Sequence, residues 1–301
     1  MNILEIKTLV LTIICCALIG TVCFSGAVGA AGHAAEEKGP AILLVTFGTS
    51  VENAQTAFQN IEHRVKEAFP KTEVRWAYTS SIIRNKLAKK GIRIDSPEMA
   101  LSRLMDEGYT KVAVQSLHMI PGAEFHEINV NSRLFAQMAG GIDTVMVSQP
   151  LLISDATMDK VLNTVQTNII PEERKAEDAV ILMGHGTHHP SDAIYGALMY
   201  KAQKRDANLY VGTVEGAPSF AEIKEMLLKK KTQKAYLIPF MTVAGDHAMN
   251  DMAGDEPDSW KSQLTKAGIT AVPVMKGLAE FDPIVDMWID HLKNTMIHFH
   301  K

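Results

Sequence analysis

Two imidazoles and one carboxylate stand at corresponding places in the second half of this sequence. His185 follows the apolar run AVILMG, Glu215 follows NLYVGTV, and His247 follows AYLIPFMTVAGD. The three are far apart in the chain, yet each lies just past a strand-like segment. A parallel sheet would bring such positions to one rim, where open α/β sheets bind their ligands. Two nitrogens and one carboxylate suit a divalent first-row ion with coordination positions left open, and the set accepts Co²⁺, Fe²⁺, Ni²⁺ and Zn²⁺. A lone histidine is more often a core or surface residue; here topology makes three candidates converge. Thiolate chemistry is confined to one place, since Cys15, Cys16 and Cys23 all fall within Thr8–Phe24. Beyond that segment a metal must be held by His, carboxylate or Met.

The elements that must position these residues are written twice. Ala41–Thr46, Glu73–Tyr78, Lys111–Ser116 and Thr144–Ser148 read as strands, with helices expected over 51–69, 97–107 and 157–168. Buried strands joined by helical crossovers predict a parallel sheet with helices on both faces. Ala179–His188 (AVILMGHGTH) then echoes Ala41–Ser50 (AILLVTFGTS), and Asn208–Gly216 echoes Glu73–Ser81. Lys234–Met252 echoes Lys111–Val130, and Thr270–Met275 echoes Thr144–Pro150. The expected fold is therefore α/β, with two similar doubly wound lobes over 40–152 and 153–301. Each lobe carries a parallel four-stranded sheet, and the two face a central cleft. At the positions matching the second lobe's three candidates, the first lobe has Phe47, Thr79 and Glu124, so only one copy keeps the metal set.

Composition narrows the partners. The chain has 301 residues, a formal net charge of −4 and 47% hydrophobic residues, enough for two cores. A pI near 6.3 points away from nucleic acid and anionic membrane surfaces. The unbroken apolar run Thr8–Phe24, followed by SGAVGAAGHAA, reads as a secretory signal peptide over residues 1–31. The mature chain is thus expected to be periplasmic or otherwise exported; a retained membrane anchor is the competing reading.

Longer motifs carry a family resemblance. GHGTHH (Gly184–His189), VEGAPS (Val214–Ser219) and PFMTVAGDHAMND (Pro239–Asp251) are similar to those of the anaerobic sirohydrochlorin cobaltochelatases. LVTFGTS (Leu44–Ser50), YTSSIIRNKL (Tyr78–Leu87) and VQSLHMIPGAEF (Val114–Phe125) resemble the same family. These are class II chelatases, which share the ferrochelatase fold and need no ATP. The resemblance implies that His185, Glu215 and His247 are metal-binding and catalytic, and that Co²⁺ is the substrate metal. Insertion must strip water from the ion, expose pyrrole lone pairs and remove two N–H protons. Imidazole, with an ordinary pKa near 6.5, suits the proton acceptor. On this reading His185 and His247 hold the ion while Glu215 balances its charge. An export signal departs from the cytoplasmic corrinoid synthesis typical of the family.

Sirohydrochlorin carries eight carboxylates, so its pocket calls for positive groups and backbone donors. Arg84 is the substrate candidate nearest the rim, while Lys89 and Lys90 read as a solvated face. Ser80, Ser81 and Thr49 could donate hydrogen bonds to acetate or propionate groups, and His118 is expected to face the cleft. His126, between Glu124 and Glu127, could bind a second metal, or haem at a subunit contact, against the plainer reading of a surface histidine. His188 and His189 read as solvated, His291, His298 and His300 as residues of a terminal helix and tail with weak adventitious metal binding, and the scattered methionines as core filler. A symmetric homo-oligomer is the default expectation. The competing functions are a chelatase for Fe²⁺ or Ni²⁺, and a non-catalytic exported carrier of metal or tetrapyrrole. A zinc hydrolase lacks support, because the sequence has no HExxH, GxSxG or GxxxxGK[ST] motif.

Overall fold

The computed structural model describes residues 38–300. The signal-peptide reading, with its three cysteines, lies outside the described residues. Eight strands form two separate sheets: β1 (Ala41–Thr46), β2 (Glu73–Tyr78), β3 (Lys111–Ser116) and β4 (Thr144–Ser148), then β5 (Ala179–Gly184), β6 (Leu209–Thr213), β7 (Lys234–Pro239) and β8 (Thr270–Pro273). The sheet orders are β2-β1-β3-β4 and β6-β5-β7-β8, and every pairing is parallel. The two lobes therefore share one topology, as the repeated sequence predicts. In each sheet the chain reverses its direction of growth beside the first strand of the lobe. The switch points lie at the carboxyl ends of β1 and β3 and of β5 and β7, the places where such sheets bind ligands.

The central strands explain themselves. AILLVT and AVILMG are buried along their whole length, because helices cover both faces and leave no solvent side to alternate with. The helices are α1 (Gln55–Ala68), α2 (Ser81–Ala88), α3 (Pro97–Asp106), α4 (Ala123–Phe135), α5 (Asp155–Thr164), α6 (Ala193–Arg205), α7 (Phe220–Lys229), α8 (Trp260–Lys266) and α9 (Asp282–Met296). Helix α1 starts four residues later than expected from position 51, because residues 52–54 form a turn. Ser80, Ser96, Ser154, Ser219 and Ser259 cap five helices by accepting an N–H of the first turn.

Two helices cross between the lobes. Helix α5 follows the first sheet, yet Asp155 and Asp159 pair with Lys201, and Asp159 pairs with Arg205, on α6 of the second lobe. Helix α9 follows the second sheet but packs back on β3, β4 and α1 of the first. It buries Ile284, Val285, Trp288, Ile289, Leu292 and Met296. Each such side chain stabilises by about 1.5–3 kcal/mol when fully buried. The half-exposed pairs of Arg64 with Asp282 and Asp286 belong to a class worth about 0.2–1 kcal/mol each. Apolar burial therefore anchors α9, and the ion pairs add little to it. The exchanged helices tie both lobes into one body.

Candidate metal centre

The loop after β5 begins His185-Gly186-Thr187, and the loop after β1 begins Phe47-Gly48-Thr49. Gly186 and Gly48 both take left-handed backbone, with φ of 81° and 96°, a region that L residues with a Cβ enter at a cost. The repeat thus turns the chain in the same way at both strand ends and aims one side chain at the cleft each time. That side chain is an imidazole in the second lobe and a phenyl in the first. The two rings face each other with centroids 6.4 Å apart. Beneath the His185 turn lies Tyr195, buried, whose ring sits where a Cβ on Gly184 would fall 2.4 Å away. Burial pushes its phenol up to about 12, and its oxygen faces the backbone of Gly186 and His185.

His247 comes from the long loop after β7, at the start of a single π turn, Ala248–Met252. That turn brings Asp251 beneath the imidazole, with Nδ1 of His247 2.5 Å from Oδ2 of Asp251. His185 uses its own Nδ1 on the carbonyl of Gly186, at 2.9 Å. In both rings the N–H is therefore assigned to Nδ1, and Nε2 keeps its lone pair. The rings meet edge to face, with centroids 4.6 Å apart. Glu215 stands after β6, its Oε2 3.9 Å from Nδ1 of His185. Its loop is zipped to the first, since Val214 and Glu215 both donate backbone N–H groups to the carbonyl of His185.

The structure thus brings the three sequence candidates together at one rim, all part-exposed at 40%, 50% and 34% of their side-chain surface for His185, Glu215 and His247. They are neighbours in an open arrangement. Among the described residues no group of three or more His, Cys, Asp or Glu side chains is drawn together closely enough to hold a metal ion. Glu215 lies on the Nδ1 side of His185, away from the free nitrogen, so as placed it acts on the imidazole rather than beside Nε2.

The opposite wall contributes a second set. His118 follows β3, and its Nε2–H donates to Glu124 at 2.7 Å, while the Ser116 hydroxyl bonds Nδ1 at 3.0 Å. Burial pushes the Glu124 carboxyl up. The hydrogen bond from His118 and the positive charge available on His118 and His185 outweigh that and hold it below the ordinary carboxylate value. His118, expected at the cleft, is mostly buried and already paired with Glu124. Lys86 on α2 reaches across to Asp246, beside His247, at 3.5 Å. Thr242 binds the buried carbonyl of Leu117, joining the lobes below the cleft.

Other candidates have local work. Arg84 donates through Nη1 to the carbonyls of Tyr78 and Thr79, so it closes the end of β2 rather than projecting freely. Ser80 caps α2, and buried Thr49 accepts from Val51 N–H while facing Gly245 of the other lobe. Ser81 is exposed at the start of α2. His126 is exposed on α4, its ring 5.1 Å from that of His189. His189 is held by Ser191, whose N–H and hydroxyl both address its Nδ1, and His188 is exposed. His291 binds the carbonyl of Gln149 at 3.2 Å.

Known proteins align with this chain over nearly all of its described length. The family model described as cobalt chelatase (CbiK) matches residues 40–297. A sirohydrochlorin cobaltochelatase, CbiKC, of Nitratidesulfovibrio vulgaris is 38% identical over 251 residues, covering 83% of this chain and 88% of that one. The sirohydrochlorin cobaltochelatase of Salmonella typhimurium is 36% identical over 266 residues, covering 85% and 96%. In fold, SirB from Bacillus subtilis with Fe³⁺ superposes with a TM-score of 0.61 at 15% identity, covering 87% of this chain and 98% of SirB. With the topology, the strand-end histidines and these matches in agreement, the chain belongs to the CbiK cobalt chelatase family.

Proposed function

We propose that this protein inserts Co²⁺ into sirohydrochlorin without ATP, with the ion received by His185 and His247. The observation that carries the reading is the pair of imidazoles at the switch point of the second sheet, edge to face at 4.6 Å, each with its Nδ1 engaged by a carbonyl or carboxylate oxygen. The relatives named for that reaction support the substrates.

The reaction exchanges one Co²⁺ for the two N–H protons of the macrocycle, so two protons leave for each metal that enters. The two imidazoles replace water on the ion and hand it to the pyrrole nitrogens. Once the ion has left, an Nε2 lone pair is free to take a proton. Glu215 and Asp251 lower the cost of holding a dication and then of holding an imidazolium. Glu124, held below the ordinary carboxylate value, adds negative charge opposite His185 rather than a proton acceptor. Phe47 gives the ring an apolar wall. Lys86 is better placed than Arg84 to meet the substrate's carboxylates. Its half-exposed pairing with Asp246 is of a kind that contributes little, so a carboxylate of the ring can displace Asp246. We further propose that the protein works outside the cytoplasm, on the strength of the apolar run Thr8–Phe24 and the small residues after it.

The test is cobalt insertion by protein recovered from the exported fraction, followed by the absorption change of sirohydrochlorin, with Fe²⁺ and Ni²⁺ in parallel. His185→Ala and His247→Ala should each lose ~10²–10⁴-fold in rate while remaining folded. Full activity in both variants would remove the assignment. Faster insertion of another metal would replace cobalt, and recovery of the unprocessed chain only from the cytoplasm would overturn export without touching the chemistry.

A further inference from the structure

Asp192 occupies the last position of a short 3₁₀ turn, Pro190–Asp192, that leads into α6. Its carboxylate spans two loops. Oδ1 accepts the backbone N–H of Thr187 at 3.0 Å, and Oδ2 accepts that of Ala217 at 2.8 Å. Thr187 lies two residues beyond His185 on the loop after β5, and Ala217 two residues beyond Glu215 on the loop after β6. One side chain therefore grips the backbone of both candidate ligands' loops from below.

The fit is close. A Cβ on Gly216 would lie 2.1 Å from Oδ1 of Asp192, and a Cβ on Gly186 would lie 2.5 Å from the backbone nitrogen of Gly216. The two glycines let the loops touch, and the carboxylate fills the space beside them. Backbone bonds from Val214 and Glu215 to the carbonyl of His185 fasten the loops on their strand side. Asp192 fastens them on the far side. With both fastenings in place the Glu215 carboxylate stands 3.9 Å from His185; with only the first, the loop tips can swing about the backbone zip.

We infer that Asp192 is a positioning residue that sets the spacing of His185 and Glu215 for cobalt capture; this rests on the function proposed above. Its carboxylate bonds the backbone of Thr187 and Ala217, and it acts through the backbone that carries His185 and Glu215. Neutral replacements separate this role from simple support of the fold. Asn has the size of Asp but must turn an N–H₂ toward one of two N–H donors, so it keeps one grip and loses the other. Ser leaves both N–H groups to water and holds neither loop.

The experiment titrates Co²⁺ into the folded wild type, Asp192→Asn and Asp192→Ser in the absence of tetrapyrrole, reading the visible absorption of the bound ion and the melting temperature together. The Kd for Co²⁺ should rise ~10–100-fold in both variants, as loss of an outer-shell support usually does. The absorption of the saturated ion should also change in intensity or position, reporting altered coordination. If the variants melt earlier yet bind Co²⁺ with wild-type affinity and an unchanged spectrum, Asp192 is structural only and the inference is overturned. A wild type that binds Co²⁺ but inserts it into no tetrapyrrole would overturn the proposed function and leave the Asp192 reading standing.

Discussion

Asp251 offers the sharpest separation between stability and chemistry in this protein. Its carboxylate bonds Nδ1 of His247 at 2.5 Å from the next turn of the chain. Replacing it with Ala removes a charge-assisted hydrogen bond, but both partners are part-exposed, at 34% for His247 and 45% for Asp251. Solvent screening keeps exposed pairs near 0.2–1 kcal/mol, so the fold should lose no more than about that. For a chain of this size the melting temperature should fall by no more than about 4 °C. Metal affinity is a different matter. The carboxylate fixes which nitrogen carries the proton and how the ring is turned, and its loss at a metal-bound histidine typically costs ~10–100-fold. That equals about 1.4–2.7 kcal/mol, more than the fold loses. The Asp251→Asn variant, whose amide oxygen still accepts from Nδ1–H, should keep the ring orientation and sit between wild type and Ala.

The assay is Co²⁺ binding by calorimetry beside thermal denaturation of the metal-free protein, for wild type and both variants. The expected order of Kd is wild type, then Asn, then Ala, against nearly level melting temperatures. The reasoning is refuted if Asp251→Ala melts far earlier while its Kd stays at the wild-type value. That pattern would make Asp251 a structural cap of the π turn with no bearing on His247.

Two further outcomes follow from the same geometry. Gly186→Ala and Gly48→Ala both force a Cβ into left-handed backbone, a cost of about 1–2 kcal/mol, and both meet crowding, against Gly216 in one case and the Tyr78 ring in the other. Both should melt at least ~2–8 °C earlier, but only Gly186→Ala, which parts the His185 and Glu215 loops, should also weaken Co²⁺ binding in a titration of the folded protein. His291 is held below its ordinary value of 6.5, first by burial, with the Gln149 carbonyl opposing. The unfolded chain therefore takes up that proton more readily, and stability falls as pH drops through 6.5 toward the folded value, then levels off. His291→Asn keeps a donor for Gln149 but cannot titrate, so the difference in melting temperature between pH 7.5 and 5.5 should be smaller than in wild type.

Much of this could be read from the sequence, and the reasons differ by residue. The bounds of β1 are legible because a doubly covered strand leaves an unbroken apolar run, while β3 and the part-buried edge strand β4 show shorter apolar runs between polar ends. Helix α2 is hidden inside what reads as a charge run, and the bonds of Arg84 to two carbonyls of its own strand end leave no mark in sequence. Asp251 was within reach, since His and Asp at i and i+4 share a helical face. Asp192 was not, because its partners are backbone N–H groups five and 25 residues away.

The meeting of His185 with Phe47 and His247 was legible for a deeper reason. The left-handed glycine turn recurs at Gly48 and Gly186, so the backbone had already aimed one side chain of each lobe at the cleft. Chemistry entered through what stands on that turn, Phe47 in one copy and His185 in the other. Comparing the two copies therefore singles out His185 without coordinates. Which way the His185 ring turns depends on something the copies do not share. Its Nδ1 is drawn to the Gly186 carbonyl, and that leaves Glu215 beside the wrong nitrogen for direct ligation. Capture of the ion by all three groups then requires either a turn of the His185 ring or a swing of Glu215. The zipped backbone between their loops favours the ring, since a side-chain rotation leaves the bonds from Val214 and Glu215 to the His185 carbonyl intact.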